Sequence, residues 1–187
     1  VVMTENKDLV AVFATVEGEI EIEDDGTYPV NFPKNTTATR TDRKLNAVSL
    51  SAASGEKQTL NVTGSKVYND LTTKESNYLK CMPNESLTVE LSYTGTWMHG
   101  YVFIDENNDK QFSFAEGNTD QNNTEVKSFS FYSGNFNNDA SGYNSAGSYL
   151  TDDSRNTMAC PSFLAPEESG TYRIRFKVDW NSVDPGG

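Results

Sequence analysis

Gly170-Thr171-Tyr172-Arg173-Ile174-Arg175-Phe176-Lys177-Val178-Asp179-Trp180 is the stretch whose reading decides the fold. Tyr172, Ile174, Phe176, Val178 and Trp180 take alternate positions, and Arg173, Arg175, Lys177 and Asp179 fill the places between. Successive side chains of an extended strand point to opposite sides. A period of two sustained this long therefore predicts a strand with an apolar face on a core and a charged face in water. The row of cations is expected to be solvated and paired with acidic neighbours.

Outward from this strand the pattern repeats. Leu87-Thr88-Val89-Glu90-Leu91-Ser92-Tyr93 alternates in the same way, and its apolar side is expected to face Tyr172, Ile174, Phe176 and Val178. Shorter strands are expected at residues 47–51 and 58–63, around the turn Ser54-Gly55-Glu56, and at 96–104 and 127–132. Near the start, residues 9–16 read as an apolar strand, and Glu19-Ile20-Glu21-Ile22-Glu23 as a second strand of a hairpin. No amphipathic helical window of useful length interrupts the series. The fold class that follows is all-β, an antiparallel β-sandwich of Ig-like or jelly-roll-like type. Residues 1–33 form either N-terminal strands of this unit or the tail of a preceding module. Residues 45–187 form the sandwich, and one domain over 1–187 is the alternative.

Composition agrees. Of 187 residues only 35% are hydrophobic but 11% are aromatic, so aromatics carry the core area between polar turns. The 15 basic and 27 acidic residues give a formal charge of -12, which disfavours nucleic acid, whose affinity rests on neutralised phosphates. No apolar run approaches the ~18 residues of a membrane helix. The sequence opens at Val1 without a signal peptide and reads as a mature or trimmed chain. Cys81 and Cys160 either pair, which would contribute about 4 kcal/mol, or remain buried thiols.

Two constellations carry possible chemistry. In the twelve residues from Asp105 to Glu116, oxygen side chains stand at positions 1, 3, 5 and 12 (Asp105, Asn107, Asp109, Glu116), with Gln111 placed to offer its backbone carbonyl. That spacing turns alternate oxygens inward around a hard cation and predicts calcium. Lys110 takes the place where glycine is favoured, and the flanks read as strands. A polar turn without metal is the plainer alternative.

The second constellation is aromatic. Trp97, His99, Tyr101 and Phe103 share one face of their strand, and Met98, Gly100, Val102 and Ile104 share the other. Either the aromatic row is packed in the core, or it is exposed and stacks on sugar rings. Residues 133–157, a long polar loop rich in Asn, Gly, Ser and Asp, add Tyr143 and Tyr149. A connection of that length is expected to serve a function or to be disordered. Weak glycan binding is therefore expected through Trp97, Tyr101, Tyr143 and Tyr149. No nucleophile is matched to His99, the single histidine, and no two carboxylates stand out as a catalytic pair, so the chain reads as a non-enzyme.

Tyr101-Val102-Phe103-Ile104-Asp105-Glu106-Asn107-Asn108-Asp109-Lys110-Gln111-Phe112 resembles the strand and acidic loop of GEVED-type domains. Gly170-Thr171-Tyr172-Arg173-Ile174-Arg175-Phe176 resembles their closing strand. The resemblance covers roughly residues 87–187. It implies a β-sandwich module of large secreted or cell-surface proteins of Bacteroidetes-type bacteria, set beside neighbouring domains and glycan-processing or lectin-like partners. The expected role is a non-catalytic, carbohydrate-associated accessory or binding module. The alternative is a structural spacer or adhesin module with no small ligand.

Overall fold

The computed structural model describes residues 5–13, 28–30, 33–96, 98–113, 125–131, 144–146 and 156–180. Within them are ten strands: β1 (Glu5–Phe13), β2 (Lys44–Ala52), β3 (Lys57–Asn61), β4 (Tyr68–Asp70), β5 (Leu79–Cys81), β6 (Ser86–Thr94), β7 (Met98–Ile104), β8 (Val126–Phe131), β9 (Thr157–Leu164) and β10 (Gly170–Trp180). The only helical turn among the described residues is the 3-10 segment Glu75–Asn77. The protein is all-β, as the alternating sequence requires. The expected hairpin strand at 19–23 and most of the polar loop lie outside the described residues.

Two sheets form. One has the order β4-β1-β10-β7-β8, with β5 also paired to β1, and the other runs β3-β2-β6-β9. All long strands pair antiparallel, while the three-residue β4 and β5 run parallel to β1. Side chains from both sheets enter one apolar cluster: Leu50, Leu87, Val89 and Leu91 from the smaller sheet meet Tyr172, Ile174, Phe176 and Val178 of β10. The alternation of β6 and β10 thus points inward as expected. β2 and β3 make the expected hairpin, with Gly55 at φ 102°, a conformation that favours glycine.

Glu5–Phe13 pairs with β10 along its nine residues, Glu5 opposite Val178 and Phe13 opposite Gly170. This segment therefore lies inside the larger sheet, between β4 and β10. β9 had no signal of its own, because Pro161 interrupts its pattern. It is an edge strand, where a missing N–H is tolerated.

The larger sheet departs from expectation on its second face. Arg173, Arg175, Lys177 and Asp179 were expected in water, yet all are buried. Every residue of β7 is buried as well. The two faces of β7 alternate as read from the sequence, but both are covered. The inner face joins the shared core, and on the outer face Tyr101 and Phe103 join Tyr28, Phe112, Val126 and Phe129 in a second apolar cluster.

Aromatic rings let the cations be buried there. The Arg173 guanidinium lies 4.5 Å from the Tyr28 ring centre, Arg175 4.3 Å from that of Phe112, and the Lys177 ammonium 5.7 Å from that of Tyr101. Such contacts contribute about 2 kcal/mol each when desolvated. Arg173 also pairs with Asp70 of β4 at 3.1 Å, and Arg175 donates to the Pro29 carbonyl at 3.2 Å.

Cys81 and Cys160 are free, buried thiols in the shared core. Burial pushes both pKa values up to about 12, so they stay protonated and unreactive.

Candidate metal centre

β7 ends at Ile104, and the next residue, Asp105, still follows the ladder by donating its N–H to the Arg173 carbonyl at 3.1 Å. Its side chain is completely buried beneath the turn. Oδ1 accepts the Asp109 N–H at 3.2 Å, and Oδ2 accepts the Lys110 N–H at 3.1 Å and the Tyr28 hydroxyl. Asn107 Oδ1 accepts the Asp109 N–H at 2.9 Å, and Asp109 Oδ1 accepts the Gln111 N–H at 2.8 Å. These successive side-chain-to-backbone bonds wind the loop into a tight turn. Asn108 and Lys110 adopt φ values of 55° and 66° to complete it. Lys110 thus occupies the left-handed conformation in which glycine was expected.

Phe112, the apolar residue at position 8, anchors the far side. It is buried with its ring 5.1 Å from Tyr28 and 5.8 Å from Phe103.

Glu125 arrives from the residue before β8. Its backbone is fixed twice: Ile104 N–H donates to its carbonyl at 3.0 Å, and its own N–H donates to Ser113 O at 2.9 Å. Its buried carboxylate accepts the Glu106 N–H at 3.0 Å, the Ser113 N–H at 2.9 Å and the Ser113 hydroxyl at 3.3 Å. Asp105, Asp109 and Glu125 each offer one oxygen, and these oxygens lie within 4.8 Å of one another. Burial raises the Glu125 pKa, and the neighbouring Asp105 and Asp109 carboxylates raise it further. The N–H donors of Ser113 and Glu106 pull the other way. Three crowded acids in an all-oxygen setting suit a hard divalent cation and would be relieved of mutual repulsion by it.

Of the residues expected at a cation, Asp105 and Asp109 come together. Asn107 borders them, with its amide nitrogen 3.1 Å from Asp109 Oδ2, and Gln111 is exposed on the turn. Glu116 lies outside the described residues. Glu125 was not foreseen. It stands twenty positions after Asp105, and only the pairing of β7 with β8 brings it near.

The aromatic row needs a correction. Tyr101 is fully buried beside Phe103 and Phe129 in the second cluster, so it offers no face to a sugar. The larger sheet is covered on that side, which the strand's own alternation does not reveal. Trp97, Tyr143 and Tyr149 lie outside the described residues. Among the described residues, the exposed large hydrophobic side chains are Met82 and Leu164, and neither is aromatic. No helix in them is long and apolar enough to cross a membrane.

Fold and site together define an all-β protein with a carboxylate-lined turn at one end of a doubly covered sheet. No family model, curated protein or solved structure matches the chain significantly.

Proposed function

We propose that this chain is a non-catalytic structural module, a spacer or adhesin-type unit of a secreted or surface-exposed multidomain protein, whose β7–β8 end is fixed by calcium. The observation that carries the reading is the convergence of Asp105, Asp109 and Glu125 within 4.8 Å at a turn built by Asp and Asn side chains. A cation there would tie the end of β7 to the start of β8 and hold Phe112 and Tyr28 over the larger sheet. The ordering is structural, and the resemblance to modules of bacterial surface proteins supplies the setting.

Calorimetry at millimolar calcium is expected to show binding, with a higher melting temperature than in chelator. A site filled at a hundred times its dissociation constant adds about 2.7 kcal/mol. Asp109→Asn and Glu125→Gln are expected to abolish both effects. Affinity is expected to fall as pH drops through the raised Glu125 pKa, because the cation needs the carboxylate. A melt indifferent to calcium would reduce the loop to a turn.

A carbohydrate-associated role is the second reading. It is favoured by residues 144–146, a described part of the polar loop: Ser145 donates its N–H to the Phe129 carbonyl at 3.0 Å, and its hydroxyl meets Ser128 Oγ at 3.2 Å. Tyr143 and Tyr149 flank this short segment in the sequence, and with Trp97 they are the side chains proposed to stack on a polysaccharide. Titration against plant and host polysaccharides decides it, with Trp97→Ala and Tyr143→Ala as controls. Absence of binding leaves the spacer reading alone.

A further inference from the structure

The outer face of the smaller sheet is open, whereas Tyr28 and Phe112 cover part of that of the larger. Strand register arranges its outward side chains in rows across the sheet. One row reads Thr59, Ser49, Glu90, Ala159, and the next reads Asn61, Ala47, Ser92, Thr157. A third, on the other side of the first, runs Lys57, Ser51, Thr88. None of these side chains is buried, while Val48, Leu50, Val89 and Leu91 between them fill the core. Leu164 extends the face at its rim. It stands opposite Ser86, and because Phe163 turns into the core, Leu164 turns outward with 58% exposure.

Two properties set this surface apart. Its rows hold one cation, Lys57, and one anion, Glu90, in a chain of formal charge -12; Lys44 stands beyond the last row, at the start of β2. The self-repulsion that net charge imposes on two copies is therefore weakest here. The other side chains of the rows are Ala, Ser, Thr and Asn, too short to hold a second flat surface at a distance. The rows contain no aromatic ring for a sugar to stack on and no cluster of cations for a polyanion. What fits is another flat, neutral sheet of small residues, and the chain itself supplies one.

We propose that this face binds a second copy of the chain, the two smaller sheets packing face to face about a two-fold axis. Aligned packing of sheets is the ordinary way for two such faces to meet. Four strands about 4.8 Å apart and about 25 Å long make a face of about 500 Å², so the pair encloses on the order of 1,000 Å² in total. That is near the lower bound for a specific interface and fits a reversible dimer rather than a permanent one. A two-fold axis repeats every contact, so Lys57 of each copy meeting Glu90 of the other neutralises the charges of both faces. The association is independent of any cation at the Asp105 turn.

Sedimentation equilibrium of the full chain, run in calcium and in chelator from about 1 μM to about 1 mM, spans the affinities expected of so small an interface. A reversible monomer–dimer equilibrium is expected in both buffers. Ser49→Arg, which places two guanidinium groups inside the pair, is expected to raise the dissociation constant about tenfold or more. The melting temperature of the dilute monomer is expected to stay unchanged. Lys57→Glu and Glu90→Lys are each expected to weaken the dimer, and the double exchange to restore it. A chain that stays monomeric throughout overturns the proposal. So does a dimer indifferent to Ser49→Arg. A dimer that forms in calcium alone and vanishes in Asp109→Asn overturns it too, because that contact belongs to the acidic turn.

Discussion

His99 shows how a single side chain acquires a property its strand pattern does not announce. It sits on the outer face of β7, where burial holds its pKa at about 4 rather than near 6.5. Above pH 6.5 the imidazole is neutral in both folded and unfolded chains and has no effect on their balance. As pH falls from 6.5 toward 4, the unfolded chain takes up a proton that the fold refuses, and stability is lost by up to about 3 kcal/mol. Glu125 opposes this trend, because its raised pKa lets the folded state bind a proton more readily than the unfolded one. The comparison that isolates His99 is urea unfolding of the wild type and His99→Gln at pH 7 and pH 4.5. The variant is expected to lose less stability between the two; equal losses would show that the imidazole titrates normally. Lys110 is the other residue of this kind. The sequence marked it as a lysine where glycine is favoured, and it does adopt a φ of 66°. Its N–H bond to Asp105 repays part of that strain.

Whole elements were legible where their two faces differ. β6 alternates buried and open positions, so its apolar spacing gave both the strand and the side that faces the core. β10 alternates equally well, yet its charged face is buried, because Tyr28 and Phe112 reach it from positions remote in the sequence. A period of two reports that the faces differ, not that one of them is wet. β4 and β5 are three residues each, too short to carry a period, and Pro161 hides β9. The acidic turn was half readable. Asp105 and Asp109 are local and their spacing speaks for itself, while Glu125 depends on strand pairing. Gly100 supplies an element-scale test. A methyl group there would stand 2.5 Å from Leu91 Cδ1 and 2.7 Å from Met158 Sδ, so β7 packs against β6 and β9 through the missing side chain. Gly100→Ala is expected to cost about 1–3 kcal/mol, read as a lower urea midpoint. An unchanged midpoint would mean that the two sheets are not in close contact at this point.

At the scale of the molecule, the first and last described strands are neighbours. β1 enters the larger sheet at Glu5, opposite Val178, and β10 leaves it at Trp180, so both chain directions meet the sheet at the same end. A pull applied through flanking segments would therefore open β1 from β10 like a zipper, rupturing hydrogen bonds one after another rather than shearing many at once. That geometry is mechanically weak by itself. Asn6 and Lys177 are the second registered pair from that end, directly behind the point where tension enters. They would part immediately after Glu5 and Val178, and the rest of the ladder would follow in order toward Phe13 and Gly170.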